Sequence, residues 1–286
     1  MSLQKKSKIT ISQILNKKKN KEKITMLTAY DYCISRICNE TDLDMVLIGD
    51  SAATVMMGYD STRKIGMVEM LTFCKGVVNA ITRQIVVADM PFGSYQMGKS
   101  ISIKNAIKFL RCGCDAVKLE GGVEIVDIIK NLTDLGIPVM GHIGLKPQTT
   151  PLHDGYILQG KTAEGAIRLL TEAKALEEAG VFSIVLEKVT SEVASVITEN
   201  ISVPIIGIGC GPHVDGQVLV IHDILGLYKD FEPKFVKRYL NLSEQIFDAI
   251  KEYETEVKSG KFPEEEHMYH MTEEEFAKLE KMLKRV

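Results

Sequence analysis

The run Ile85-Val-Val-Ala-Asp89-Met-Pro-Phe92 is too short for a helix, is rich in β-branched residues, and closes on an acid two residues before a proline. Three other segments repeat the arrangement: Met45-Val-Leu-Ile-Gly-Asp50-Ser51, Ala116-Val-Lys118-Leu-Glu120-Gly-Gly122 and Ser183-Ile-Val-Leu-Glu187. Runs of this length bounded by Gly or Pro read as strands buried on both faces, the kind found in parallel sheets. In a closed parallel barrel the C-terminal ends of all strands meet on one face. Four carboxylates far apart in sequence then converge on one mouth, where three suit a hard divalent cation and the fourth a base.

Working outward from these four, further strands are expected to start near Ile24, Ile137, Val203 and Val218, making eight. Helical spacing fills most of the gaps, as in Ile101 to Cys112, Val123 to Leu135 and Gly165 to Ala179, the last closing on the C-cap signal Ala179-Gly180. Strand and helix alternating eight times point to an α/β fold, a (β/α)8 TIM barrel, for which 286 residues is a suitable length. The gap between the seventh and eighth strands leaves room for little more than a helical turn. A short helix at Ile11 to Leu15 precedes the barrel, a long one is expected over Pro233 to Val257, and a helical extension closes the chain. In that extension Thr272 and Glu275 fit a capping box, and Phe276, Leu279, Leu283 and Val286 form one apolar stripe. The whole reads as a single domain, 1–286, with its core at about 24–258 and a C-terminal extension at 259–286.

Composition narrows the function. The apolar fraction of 45% can supply a large core, but no apolar run approaches the ~18 residues of a membrane span. The start, Met1-Ser-Leu-Gln-Lys-Lys, carries no secretion signal, so a soluble cytoplasmic protein is expected. A net charge of −3 gives no general electrostatic reason to bind nucleic acid, and Lys17-Lys-Lys-Asn-Lys-Glu-Lys23 reads as a solvated helix end. Six cysteines at 33, 38, 74, 112, 114 and 210 lack metal or disulfide spacing and read as reduced thiols.

The order and wording of the segments from about Ile24 to His267 resemble the ketopantoate hydroxymethyltransferase family. The resemblance rests on Thr28-Ala-Tyr-Asp31, Gly49-Asp-Ser51, Gly58-Tyr-Asp-Ser-Thr62, Ala88-Asp-Met-Pro-Phe92, Val117-Lys-Leu-Glu-Gly-Gly122, Gly141-His-Ile-Gly-Leu145, Gly207-Ile-Gly-Cys-Gly211, Asp215-Gly-Gln-Val-Leu-Val220 and Pro233-Lys-Phe-Val236, taken together and in order. It implies a (β/α)8 enzyme that uses Mg²⁺ and passes a one-carbon unit from 5,10-methylenetetrahydrofolate to 3-methyl-2-oxobutanoate, giving 2-dehydropantoate in pantothenate biosynthesis. It also implies a homodecamer. Small molecules and further copies of the chain are the expected partners, with no nucleic acid or membrane among them.

Residue chemistry runs beside that resemblance. A 2-oxo acid can chelate a divalent ion, which polarises its carbonyl and acidifies the neighbouring C–H. Asp50 and Asp89, with Glu120 directly or through water, are the expected metal ligands, leaving positions open for substrate as Mg²⁺ sites usually do. Lys118 alternates with Glu120 on one strand, so both face the barrel interior. Asp50, Ser51 and Asp89 are expected to face substrate as well, the resemblance places Lys118 against it and gives Glu187 the role of the base that takes the C3 proton, and His142 either contacts the oxo acid or the incoming one-carbon unit or is hydrogen-bonded to the barrel wall. Ser51 lacks a nucleophile elbow and reads as a donor to the substrate carboxylate. Gly207-Ile-Gly-Cys-Gly211 lacks phosphate-loop spacing and reads as a tight turn, while His222-Asp223 reads as structural.

Two loops depart from the family's pattern. After Gly58-Tyr-Asp-Ser-Thr62 the family continues Leu-Pro-Val-Thr with a His in the next helix, whereas this chain has Arg63-Lys-Ile-Gly66, with Phe73 near that His. The loop Lys146-Pro-Gln-Thr-Thr-Pro-Leu-His-Asp154 also differs from the usual Thr-Pro-Gln start and Gly-Gly-Tyr ending. The rival reading is a Mg²⁺-dependent 2-oxo acid lyase or phosphonomutase of the isocitrate lyase type. That group carries a Lys-Lys-Cys-Gly-His-type loop, which is absent from this sequence.

Overall fold

Eight parallel strands close into a barrel in chain order in the computed structural model, which describes residues 7–150, 157–230 and 233–285. They are β1 (Ile24–Thr28), β2 (Met45–Ile48), β3 (Ile85–Asp89), β4 (Ala116–Glu120), β5 (Val139–Gly144), β6 (Ser183–Glu187), β7 (Ile205–Ile208) and β8 (Gly216–Leu219). The helices of the first 239 residues are α1 (Ile11–Lys19), α2 (Tyr32–Glu40), α3 (Ala52–Val55), α4 (Met67–Ala80), α5 (Lys99–Cys112), α6 (Val126–Asp134), α7 (Ala163–Glu178), α8 (Ser191–Asn200) and α9 (Ile221–Ile224). No helix separates β7 from β8 among the described residues, as the short gap required. Among those residues no helix is long and apolar enough to cross a membrane.

Side chains alternate across each strand, and the alternation sorts the core into two shells. Met26, Met45, Leu47, Ile85, Val87, Ala116, Met140, Val185, Ile206 and Val218 point inward and pack together. Val46, Ile48, Val86, Ala88, Val117, Leu119, Ile184 and Leu186 point outward and pack under the helices. The inner shell is sealed at its N-terminal mouth by α1, whose Ile14 is fully buried in it. Thr10 and Gln13 form a capping box at the start of α1.

Lys19, Lys21 and Lys23 are exposed, as a solvated helix end requires, but Lys17 and Lys18 are half-buried in ion pairs. Lys17 pairs with Asp44 at 2.6 Å, Lys18 with Asp215 at 2.8 Å and with the Thr198 carbonyl at 2.9 Å, and Lys23 donates to the carbonyls of Pro212 and Val214. A charge run reads as surface in sequence because its partners lie far along the chain. Here it ties α1 to the bottoms of β2 and β8.

Compact units part between Tyr239 and Leu240. The second holds α10 (Leu242–Ser259), a 3-10 turn at Glu265–His267 and α11 (Glu273–Leu283), in which Thr272 accepts the Glu275 N–H as N-cap. Phe276, Leu279 and Leu283 are exposed, and Val286 lies outside the described residues, as do Met1 to Lys6. The long helix expected from Pro233 starts instead at Leu242. The apolar spacing at Phe235 and Val236 has another cause, since the Phe235 ring packs where a side chain at Gly209 would stand and lines the cavity described next.

Candidate active site

Strand register decides which charges meet at the C-terminal mouth. Asp89 of β3 pairs with Lys118 of β4, Glu120 of β4 with His142 of β5, and Gly144 of β5 with Glu187 of β6. Gly144 has φ of +93°, and a Cβ there would come within 2.3 Å of the Glu187 carbonyl, so this close approach at the strand end requires glycine. Asp50 and Ser51 follow β2 on the turn into α3. All seven expected residues, Asp50, Ser51, Asp89, Lys118, Glu120, His142 and Glu187, line one cavity of about 180 Å³.

Within it the contacts form a chain. Lys118 Nζ lies 3.0 Å from Asp89 Oδ1 and 3.2 Å from His142 Nδ1, whose other nitrogen is 3.3 Å from Glu187 Oε2. His142 Nδ1 is also 3.4 Å from Glu120 Oε1, and the Asp50 N–H donates to Asp89 Oδ2 at 3.0 Å. Ser51 Oγ shares a 2.7 Å hydrogen bond with the Tyr30 hydroxyl, so its partner is a phenol and no base activates it. Lys188, directly after Glu187, takes φ of +51°, a costly conformation for a residue with a side chain.

Burial sets the protonation of the group. It pushes Asp50 well above the usual carboxylate range, reinforced by the charges of Asp89 and Glu120, and it raises Asp89 despite the neighbouring Lys118 ammonium. Burial also raises Glu120, but His142, Lys118 and the Gln148 N–H outweigh it and hold the carboxylate low. For Lys118 burial opposes the charge, yet Asp89, Glu120 and Asp50 keep it an ammonium. His142 pays for burial and for Lys118 beside it, and Glu120 and Glu187 still lift it to about 9.

Two adjacent buried carboxylates pushed upward mark a site short of positive charge. Asp89 Oδ1 makes no aligned hydrogen bond, although the Lys118 ammonium is near. An all-oxygen pair with an unsatisfied acceptor fits a hard divalent cation such as Mg²⁺, which binds through one or two carboxylates and keeps its other positions for water and substrate. Among the described residues no three His, Cys, Asp or Glu side chains close on one point, and Glu120 is engaged by His142 and Gln148. Direct ligation therefore suits Asp50 and Asp89, and a water-mediated contact suits Glu120.

Two buried residues outside the cavity lining, Gln148 and Tyr95, carry no signal in the sequence. Gln148 is buried and bonds to both Asp50 and Glu120. Tyr95 donates its hydroxyl toward the Glu120 carbonyl, and Asp223 and Phe235 line the cavity itself. Asp223 sat in the His222-Asp223 pair read as structural, and its place on the mouth follows from β8 ending at Leu219. Of the departing loop at 146–154, residues 151–154 lie outside the described residues.

A family model described as ketopantoate hydroxymethyltransferase matches residues 8–265. The chain is 47% identical over 274 residues to the 3-methyl-2-oxobutanoate hydroxymethyltransferase of Nitrosopumilus maritimus, covering 96% of this chain and 98% of that protein. It is 52% identical over 260 residues to the protein of the same name from Sulfurisphaera tokodaii, covering 91% and 97%. Among solved structures, phosphoenolpyruvate phosphomutase from Streptomyces platensis subsp. rosaceus superposes with a TM-score of 0.59 at 14% identity, covering 96% of this chain and 98% of that one. At that identity the likeness concerns the fold alone.

Proposed function

The chain belongs to the ketopantoate hydroxymethyltransferase family, and from that premise we propose that it transfers a hydroxymethyl group from 5,10-methylenetetrahydrofolate to 3-methyl-2-oxobutanoate, giving 2-dehydropantoate for pantothenate biosynthesis. The observation that carries the reading is the cavity itself, in which the Asp50 and Asp89 pair and the Glu187 carboxylate share one small chamber with Lys118 and His142. Mg²⁺ bound at Asp50 and Asp89 would supply Lewis-acid stabilisation of charge developing on the oxygen of a 2-oxo acid.

The chain's own residues do the rest. Lys118 and the Ser51 hydroxyl offer donors to the acid's carboxylate. Glu187 removes the proton from C3, leaving that carbon to form the new bond to the one-carbon unit, and water supplies the hydroxyl oxygen as tetrahydrofolate leaves. His142 stands beside that carboxylate, with its Nε2 3.3 Å from Glu187 Oε2. The chamber of about 180 Å³ suits the small acid, and an adjoining hollow of about 400 Å³ that shares Ser51, Glu187, Pro147 and Phe235 gives the larger donor its space. A cytoplasmic homodecamer is part of the same reading.

Solvent deuterium exchange into C3 of 3-methyl-2-oxobutanoate with Mg²⁺, followed by NMR, tests it. The wild type should exchange without folate. Glu187→Gln should keep affinity for metal and acid yet lose about 10²–10⁴ in exchange rate, the usual cost of removing a general base. Exchange at the wild-type rate in that variant would pass the role to another group.

A further inference from the structure

Gln148 is 1% exposed and every polar group it owns is engaged. Its Nε2 donates to Asp50 Oδ2 at 2.8 Å and to the Met90 carbonyl at 3.1 Å, and its Oε1 accepts from the Tyr95 hydroxyl at 2.9 Å. Its backbone N–H donates to Glu120 Oε2 at 3.0 Å, and its carbonyl accepts from Arg63 Nε at 2.6 Å. The amide can sit only one way round. Met90 presents a carbonyl, which can only accept, so the nitrogen that faces it and Asp50 is fixed and the oxygen must face Tyr95. The single Tyr95 proton is shared between Gln148 Oε1 and the Glu120 carbonyl, each at 2.9 Å.

We propose that Gln148 is the positioning residue of the divalent-cation site, holding Asp50 and Glu120 in the orientation in which they receive the ion, with Tyr95 and Arg63 holding Gln148 in turn. The proposal rests on the reading that Asp50 faces such an ion. A neutral amide suits the task better than the alternatives. A lysine at 148 would neutralise Asp50 and compete with the cation, and a carboxylate would add another negative charge to a site already crowded with them. The amide takes Asp50 Oδ2 without cancelling its charge and leaves Oδ1 for a ligand. Outer partners of this kind orient metal-binding carboxylates, and their loss costs about 10–100-fold in metal affinity. Arg63 belongs to one departing loop and Gln148 to the other. Their hydrogen bond joins the two departures to each other, and the Arg63 guanidinium lies 5.5 Å from the centre of the Phe92 ring.

The test uses the full chain with Mn²⁺ as probe, reading free Mn²⁺ by electron paramagnetic resonance. Gln148→Met keeps the volume and removes every side-chain hydrogen bond. It should weaken Mn²⁺ binding about 10–100-fold, with C3 deuterium exchange recovering at saturating Mn²⁺, as a loss in chemistry would not. Tyr95→Phe, which frees the amide at its far end, should shift the affinity in the same direction by a smaller factor. A folded Gln148→Met with affinity within about twofold of wild type would overturn the proposal, as would weakened binding whose exchange does not recover at saturation. If Gln148→Met does not fold, Tyr95→Phe decides, and unchanged Mn²⁺ affinity there overturns it. Asp50→Asn separates the two claims. Unchanged affinity in Asp50→Asn removes the cation site and this proposal together, whereas a changed Asp50→Asn beside an unchanged Gln148→Met removes only the proposal.

Discussion

The two mouths of the barrel are built from the same strands and are treated in opposite ways. At the N-terminal mouth α1 inserts Ile14 among inward-facing apolar residues, and Lys17, Lys18 and Lys23 around it each have an acid or a carbonyl as partner. At the C-terminal mouth Asp50, Asp89, Lys118, Glu120 and His142 are buried together, and Asp89 Oδ1 and His142 Nε2 lack an aligned hydrogen bond. The first arrangement pairs the charges it half-buries, while the second leaves two adjacent carboxylates raised by burial and two buried polar atoms without an aligned partner. Strain of this kind concentrated at one end is the mark of a site prepared for something that binds there.

The sharpest way to break this contrast is Asp50→Asn. It should abolish Mg²⁺-dependent exchange while leaving the metal-free protein at least as heat-stable as wild type, because one of two repelling buried carboxylates is gone. The pH dependence carries the sign. Burial raises the pKa of folded Asp50 from an ordinary 3.8, so the group's contribution is fully present below that value and is lost as pH rises through the raised one. That contribution should fade in the metal-free wild type as pH climbs from about 4, so the stability of Asp50→Asn relative to wild type should rise over that range. Lower stability of Asp50→Asn at neutral pH, measured by thermal melts, would mean that the C-terminal mouth is not strained.

Ile14→Ala probes the opposite mouth and should do the reverse. Truncating a fully buried isoleucine leaves a cavity, and such changes cost about 2–5 kcal/mol. Denaturant melts should show that loss, while the C3 exchange rate per folded molecule stays at the wild-type level. A variant equally stable but slow in exchange would mean that the two mouths are coupled.

How much of this contrast was legible in the sequence depends on what each feature is made of. The strand starts expected at Ile24, Met45, Ile85, Ala116 and Ser183 are those observed, and the remaining three fall within two residues, because strands buried on both faces leave dense apolar runs. The acids at the strand ends were visible for the same reason, since period-two alternation fixes which residues reach the mouth. Phe235 reads as part of a helix because apolar spacing does not say whether a side chain fills a helix groove or a cavity wall. Gln148 carried no signal beyond its place after Pro147, since a neutral amide in a loop belongs to no charge pattern. Its importance arises only where the loops bearing Tyr95, Arg63 and Gln148 meet, an arrangement set by tertiary packing. Lys17 and Lys18 look solvated in sequence for a related reason, their acids standing far along the chain at Asp44 and Asp215.

The smallest effect expected is at Lys18, and it bears on how much the N-terminal mouth owes to charge. Lys18 and Asp215 have side chains 13% and 15% exposed, so the pair is neither screened like a surface bridge nor dry like a core one. Lys18→Met would keep most of the packing of the stem and remove bonds to Asp215 Oδ2 and the Thr198 carbonyl. Asp215 would not be orphaned, because the same oxygen also accepts the Ile205 N–H at 2.8 Å. The expected cost is about 1 kcal/mol, near the upper end for exposed pairs and below that for breaking a buried one. It should shrink as salt is added and leave both Mn²⁺ affinity and C3 exchange unchanged. A loss of several kcal/mol that salt does not alter would show that this mouth, too, depends on buried charge, and the contrast between the two ends would be one of degree.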